Sequence, residues 1–231
     1  MKNYSDCPVY ATLIVDAPLN EARGILSHIR CESSARVDFN RLDRLPSELD
    51  VDDCAESDRA EKLYKFFCFT YKNPSHENEI AFLKLLGSEE QRLFRLGKRY
   101  VMNRRAYGYP NYHEWCKGHW GTDRNAVAYA KVSENCIAFA THRTPACIAI
   151  EKLSAWFPGV EITYTWEDDT VPVEDGYVVR QSIVYKDGME VRTINTVEEK
   201  QIANYFLKDE PVEAPSSSDY MSITDNENYP F

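Results

Sequence analysis

The amino-acid sequence predicts an α+β protein built on one antiparallel sheet. Apolar residues recur at helical spacing in some stretches and alternate with polar residues at strand spacing in others. These stretches follow the order β–α–(β), a helical insertion, β–β–α–β and an extra hairpin. Strands that return through helices onto an antiparallel sheet form a sandwich of ferredoxin-like type. We therefore predict a ferredoxin-like antiparallel sheet with helices on one face, a helical insertion and an extra β-hairpin.

The first predicted elements are a strand and a helix. Residues 10–15 are apolar and predict a strand, while Pro18 suits the first turn of a helix whose apolar residues recur as far as Ile29. Residues 36–40 predict a short second strand, which Pro46 ends. These elements supply the β–α–(β) opening.

A helical insertion over about residues 59–118 separates the two halves of the predicted sheet. The stretch before it, residues 47–58, holds six acids and few apolar residues, which predicts an exposed loop. The best-formed helix of the insertion begins at Ser88, whose hydroxyl and Gln91 three residues later predict a capping box.

The helix after Ser88 has one apolar and one cationic face. At 100° per residue, Leu93 and Gly97 fall on the apolar arc. The basic residues of the opposite arc are Arg92, Arg95, Lys98, Arg99 and Arg105. Tyrosines follow within a short stretch, as in surfaces that combine phosphate contact with base stacking. The face 92–105 is thus a candidate contact for nucleic acid or a protein partner, although an ordinary solvated face, partly neutralised by the acidic loop, fits the same pattern.

The second half of the chain predicts the β–β–α–β segment. Residues 126–141 predict two strands joined by residues 133–135, and Thr144 begins a helix that ends at Trp156. Residues 160–167 alternate apolar and polar side chains, which predicts a strand with one buried face.

The extra hairpin and the tail complete the chain. Asp187 and Gly188 readily take the positive φ angles of a tight turn, and Thr196 with Glu199 predicts the capping box of a last helix ending near Leu207. Beyond it, six acids and one lysine carry half of the net charge of −10. We predict a single α+β domain over residues 1–206 and a disordered acidic tail over residues 207–231.

The composition excludes several classes of protein. A net charge of −10, from 27 basic and 37 acidic residues, argues against a protein that coats DNA or RNA. The longest apolar runs, such as residues 146–150, are far shorter than the roughly 20 residues of a membrane helix, and no signal segment is visible. The seven cysteines form no CxxC pair, which predicts reduced thiols. We expect a cytoplasmic protein that makes no membrane contact.

Residues 112–126 read YHEWCKGHWGTDRNA. This segment is similar to the WCxxHWGTKWNA signature of the YubB-like family of plasmid and phage proteins, and two further segments resemble the same family. Residues 37–49 are similar to its VDFNKIIPMPxxL stretch, and residues 151–158, EKLSAWFP, with the acids after Trp166 are similar to its helix and acidic turn.

The resemblance implies a ferredoxin-like carboxy-terminal half and an origin on mobile genetic elements, and it implies no established reaction. The chain departs from the signature at Asp123 and Arg124, which replace a lysine and a tryptophan, and at residues 141–143, which replace a TAW stretch. If those tryptophans form a ligand-stacking surface in relatives, this chain lacks them at these positions.

The tryptophan-rich segment has a structural and a chemical interpretation. A thiol at Cys116 three residues from the imidazole of His119 would share a helix face with it, and the imidazole could lower the pKa of the thiol. Flanking tryptophans more often anchor a turn in the core, and we favour that structural role. The residues of this structural motif or ligand surface are Trp115, Cys116, His119, Trp120, Asn125 and Arg143.

No metal or cofactor site is predicted. Zinc needs about four ligands, and Cys116, His119 and His113 give at most three. The sequence contains no GxGxxG, GxxxxGK[ST], HExxH or GxSxG motif. The carboxylates of residues 167–169 suit a divalent ion, but before Pro172 they more simply predict a solvated turn.

Three functions remain open. The leading hypothesis is a non-catalytic accessory protein of a mobile genetic element that acts by protein contact, with counter-defence as one form; its acidic surface would suit a basic host nucleic-acid-handling or defence protein. The alternative is a nucleic-acid-binding module that uses the face 92–105. The third is a small enzyme that uses Cys116 and His119.

Overall fold

The computed structural model describes residues 8–31, 36–51, 55–72, 74–168, 171–199 and 201–206. Its strands are β1 Pro8–Asp16, β2 Arg30–Cys31, β3 Arg36–Val37, β4 Ala128–Lys131, β5 Cys136–His142, β6 Glu161–Asp168, β7 Tyr177–Lys186 and β8 Met189–Glu199. Its helices are α1 Leu19–Ser27, α2 Ser57–Thr70, α3 His76–Leu83, α4 Ser88–Tyr107, α5 Tyr112–Trp120 and α6 Cys147–Trp156. The predicted disordered tail, residues 207–231, lies outside the described residues.

The main sheet has the predicted ferredoxin-like topology. Its six strands follow the order β4-β5-β1-β6-β7-β8, and each described pair of neighbours is antiparallel. β5 and β6 are joined through α6 and lie on either side of β1, so they run parallel to each other. β1 and β4 flank β5 in the same way. These two interlocked crossovers define the fold, and β7–β8 extends the sheet.

The main core lies between the sheet and its helices. Leu13 of β1, Phe139 of β5 and Tyr164 of β6 are fully buried in one cluster with Ile25 of α1 and Leu153 of α6. Along β6, Ile162, Tyr164 and Trp166 belong to this core, as the alternation in residues 160–167 predicts. The prediction of helices packed on one face is therefore confirmed for α1 and α6.

The opposite face is covered near the carboxy-terminal end of β6. The Glu167 carboxylate is buried, accepts a hydrogen bond from Arg180 at 3.1 Å, and accepts the N–H groups of Gln201 and Ile202 at 2.8 Å. The predicted solvated turn at residues 167–169 is thus wrong for Glu167, which anchors the 3-10 helix Ile202–Phe206.

The predicted capping box at the end of the chain is also absent from the described residues. Thr196 and Glu199 lie in β8, and the Thr196 hydroxyl donates to Glu198 instead. The segment that follows is the short 3-10 helix Ile202–Phe206 rather than an α-helix.

The helical insertion has a small core of its own. Tyr64 and Phe67 of α2 pack with Phe82 of α3 and Phe94 of α4. At Gly97, an added Cβ would lie 1.9 Å from the Ala60 carbonyl oxygen, so α2 and α4 are in backbone contact there. The insertion runs from α2 to α5, close to the predicted residues 59–118.

The predicted capping box at Ser88 is wrong, because Gly87 is the N-cap residue of α4 and makes no side-chain cap. Gln91 instead donates its amide hydrogens to the carbonyls of Leu83 and Leu86, at 3.0 and 3.2 Å. Gln91 therefore provides hydrogen-bond donors for carbonyl groups at and after the carboxy-terminal end of α3, and it stabilises the corner between α3 and α4.

The segment before the insertion is more ordered than its acidity predicts. Leu49, at the end of the 3-10 helix Ser47–Leu49, is fully buried, and Val51 is buried as well. Asn103 of α4 donates to the Glu48 carbonyl at 2.8 Å. Residues 47–51 thus pack on α4, which corrects the prediction of an exposed loop over that part of residues 47–58.

The predicted second strand is shorter than residues 36–40 and lies elsewhere. β3 pairs with β2 in a separate two-stranded sheet, and a 3-10 helix Phe39–Arg41 follows at once. The second strand of the ferredoxin-like unit is β4. Within the residues that the structure describes, no helix has the length and apolar character needed to span a bilayer.

Candidate functional site

The tryptophan-rich segment forms α5 and the turn after it. Asn111 caps the helix by accepting the N–H of Glu114 at 2.9 Å. Gly121 ends it with φ of 89°, and a Cβ there would lie 3.2 Å from the Pro145 carbonyl oxygen. Glycine is required because the turn combines left-handed backbone with close approach to the start of α6.

Asn125 joins two of the segments that carry the family resemblance. Its Oδ1 accepts the N–H of Phe39 at 2.9 Å, and its Nδ2 donates to Asp38 Oδ1 at 2.6 Å. Trp120 supports the same contact, since its ring lies 5.8 Å from that of Phe39 and its Nε1 donates to the Asp43 carbonyl at 3.1 Å. These two residues lock α5 against residues 38–43.

His119 belongs to a half-buried polar cluster with Asp43 and Lys152. Its Nδ1 lies 2.8 Å from Asp43 Oδ2, and Lys152 of α6 binds the same oxygen. The ring is stacked on Trp115, with centroids 4.1 Å apart. Burial alone would raise the pKa of Asp43, but the hydrogen bonds and charges of Lys152 and His119 hold it below its ordinary value.

Cys116 is buried in the main core, and its side chain is 1% exposed. Burial, reinforced by the charge of Asp123, raises the pKa of its thiol to about 12. A thiol with that pKa remains protonated near neutral pH and is a poor nucleophile. The buried, protonated thiol, with the His119 ring turned to Asp43 and Trp115, does not favour the hypothesis of a Cys116–His119 enzyme.

The positions that depart from the resembled signature meet in space. His142 Nδ1 lies 2.7 and 2.9 Å from the two carboxylate oxygens of Asp123, and both side chains are buried. Arg124 Nε and Arg143 Nη1 lie 3.6 and 3.9 Å from the same carboxylate. His113 Nδ1 lies 3.1 Å from the Asp123 backbone oxygen. One buried carboxylate thus holds several cationic or imidazole groups together.

Arg143 stands at the centre of a γ-turn. Its φ is 63°, and the N–H of Thr144 donates to the His142 carbonyl at 2.8 Å. Neighbouring hydroxyls hold the turn: Thr122 donates to the His142 carbonyl at 3.0 Å, and Thr144 donates to Gly121 at 2.8 Å. The strained backbone persists because these contacts over-determine it.

The cations predicted on α4 are placed on its surface, and acids pair with several of them. Arg92 binds Glu56 and Glu89, each at 2.6 Å, and Lys98 binds Glu79 at 2.6 Å. Arg99 donates to the Asp50 carbonyl at 3.4 Å. Among the described residues, no carboxylate lies within ion-pair distance of Arg95 or Arg105. The face 92–105 is therefore partly neutralised by its own neighbours.

Two features were not found from the sequence. The Asp123–His142 pair joins residues 19 apart, and its only sequence signal is that both depart from the resembled signature. The second is the length and exposure of β8. The turn residues Asp187 and Gly188 predict where this strand begins, but not that it continues to Glu199. Among the described residues, no three His, Cys, Asp or Glu side chains are grouped so that they could hold a metal ion.

The comparisons with known proteins give one structural likeness. The chain matches no protein-family model and no curated protein. Its structure is similar to the crystal structure of protein api92 from Yersinia pseudotuberculosis, of the DUF1281 family, with 10% sequence identity and a TM-score of 0.36. The match covers 85% of this chain and 100% of that chain.

Proposed function

We propose that the protein is a non-catalytic accessory protein that binds another protein by adding a strand to the exposed edge of β8. The YubB-like resemblance of residues 37–49, 112–126 and 151–158 further supports the proposal that it belongs to that family and serves a mobile genetic element, counter-defence being one such service. The observation that carries the binding proposal is β8 itself.

β8 is a long edge strand with apolar side chains in solvent. It spans eleven residues and is the last strand of the described sheet. Its exposed apolar side chains are Met189, Val191, Ile194 and Val197. Edge strands offer unpaired N–H and C=O groups to other chains, and soluble proteins usually keep them short or charged. The other edge, β4, has only four residues.

The charges near β8 favour a basic partner. Glu190, Glu198 and Glu199 lie on the strand together with one cation, Arg192, and Arg180 of β7 pairs with Glu198. The strand thus keeps a small excess of negative charge, and the whole chain carries −10. A second copy would bring the same negative charge to the edge. An extended segment with alternating basic and apolar residues would form hydrogen bonds with the unpaired N–H and C=O groups of β8 and would complement its negative charge.

A synthetic ten-residue peptide that alternates lysine and valine tests the proposal. We expect saturable binding by fluorescence anisotropy and slower hydrogen exchange of β8 amides in the complex. Ile194→Lys should weaken binding by about tenfold or more, because it adds a like charge and removes an apolar contact. Leu85→Lys is the matched control, since Leu85 is exposed on a different part of the molecule and should leave binding unchanged.

A second peptide separates strand addition from simple charge attraction. It carries prolines in place of alternate valines, so it keeps the charge but cannot complete a ladder of hydrogen bonds. Equal binding of the two peptides would overturn the proposal. The proposal would also be overturned if sedimentation showed that the wild-type chain is a dimer and that Ile194→Lys makes it a monomer. In that case a second copy of the chain would occupy the edge of β8.

A further inference from the structure

The helical insertion contains a cavity that the proposed function does not use. It has a volume of about 590 Å³ and lies among α2, α3 and α4. Sites for small molecules usually fall between about 300 and 1,000 Å³. The cavity therefore has room for an organic molecule.

The lining combines one exposed apolar side chain with several cations. Met102 of α4 is 47% exposed and lines the cavity together with the buried rings of Tyr64 and Phe67, while Lys72, Lys98 and Arg105 supply ammonium and guanidinium groups. A cavity with this lining favours a ligand that is apolar in its body and anionic at one end.

The acidic residue that lines the cavity neutralises only one of its cations. Glu79 also lines the cavity, and it pairs with Lys98 at 2.6 Å. Over the described ranges, no carboxylate lies within ion-pair distance of Lys72 or Arg105. The cavity thus keeps an excess of positive charge although the chain as a whole is acidic.

We infer that this cavity binds a small organic anion with an aromatic body. Its rings lie against the thioether side chain of Met102, and its anionic group is held between Lys72 and Arg105. The inference is independent of the β8 edge, which belongs to the sheet.

The fluorescent anion 8-anilinonaphthalene-1-sulfonate, which carries one sulfonate on an aromatic body, is a direct probe. We expect saturable fluorescence with one site per chain, and a loss of affinity of about tenfold in Arg105→Glu. Arg95→Glu is the matched control: it makes the same charge change on α4, but Arg95 does not line the cavity, so affinity should stay within about twofold.

Further variants keep the result interpretable. Lys72→Glu should also lower the affinity for the probe, and Met102→Trp should prevent binding by filling the cavity. Circular dichroism checks that each variant is folded. Phe69→Ser should have no effect, because Phe69 is 84% exposed and does not line the cavity. Equal losses in Arg95→Glu and Arg105→Glu, or probe binding that Phe69→Ser abolishes, would overturn the inference.

Discussion

Arg143 occupies a backbone conformation that costs a residue with a Cβ on the order of 1–3 kcal/mol. Its φ is 63°, and the γ-turn is held from both sides by the hydroxyls of Thr122 and Thr144. Glycine takes positive φ without that cost. We therefore expect Arg143→Gly to be more stable than Arg143→Ala by about 1 kcal/mol, measured by urea unfolding, since both variants lose the guanidinium.

The control for this comparison is Arg192 in β8, which has extended backbone and an exposed side chain. There the usual order should hold, with Arg192→Ala more stable than Arg192→Gly. If alanine were the more stable residue at position 143 as well, the γ-turn would not be strained.

Asp43 links the stability of the site to pH. Its pKa is lowered in the folded protein, because Lys152 and His119 outweigh the effect of burial. A carboxylate with a lowered pKa stabilises the fold fully above its unfolded-state pKa, and this contribution is lost as the pH falls through the folded-state value. We expect unfolding measurements to show a steeper loss of stability below about pH 4 in the wild type than in Asp43→Asn.

The difference between the acid profiles of the wild type and Asp43→Asn reports the contribution of the Asp43 carboxylate alone. Asp187→Asn is a suitable reference, because Asp187 is an exposed acid whose carboxylate accepts the N–H of Gly159 and lies far from Asp43 in the sequence. Parallel acid profiles for the wild type and Asp43→Asn would show that the Asp43, His119 and Lys152 contacts contribute no stability.

At the scale of elements, the contact between α2 and α4 depends on a glycine. A Cβ at Gly97 would lie 1.9 Å from the Ala60 carbonyl oxygen and 2.4 Å from its carbon, so the helices would have to move apart. We expect Gly97→Ala to destabilise the protein by about 2–4 kcal/mol in urea unfolding, which exceeds the roughly 1 kcal/mol that alanine adds to helix propensity. Gly24→Ala in α1 meets nothing within 4 Å and should stabilise instead.

The elements with strong local signals were predictable from the sequence. Asp187 and Gly188 have φ of 54° and 73°, as the predicted tight hairpin requires. The strand predicted at residues 160–167 and the helix predicted to end at Trp156 are both present. These signals succeed because they depend on residues close together in the chain.

The elements that were mispredicted depend on distant contacts. Thr196 and Glu199 fit a capping box, but pairing with β7 keeps both in β8. Ser88 fits a cap, but the corner with α3 makes Gly87 the N-cap. The Asp123–His142 pair arises only because the turn after α5 meets the end of β5. A pattern of neighbouring residues gives no information about such contacts between distant parts of the chain.

At the scale of the whole molecule, acids of the helical insertion pair with several cations of α4. Arg92, Lys98 and Arg104 of α4 each bind a glutamate of the insertion. The sheet edge at β8, in contrast, carries three glutamates and one arginine. β8 therefore keeps a small excess of negative charge, although Arg180 of β7 pairs with Glu198, whereas the face 92–105 is partly neutralised by acids of the insertion and of the segment before it.

This balance predicts weak contact with nucleic acid. A protein that neutralises several phosphates loses affinity steeply with added salt, because each contact releases counterions. Since Glu56, Glu79 and Glu89 already bind cations of the face 92–105, we expect a 20-base-pair duplex to show no salt-dependent binding in fluorescence anisotropy at low ionic strength. Tight binding that falls steeply with salt and is lost in the double variant Arg95→Glu, Arg99→Glu would favour the nucleic-acid-binding function over protein contact at β8. The same duplex with Leu85→Lys measures the effect of one added charge outside that face.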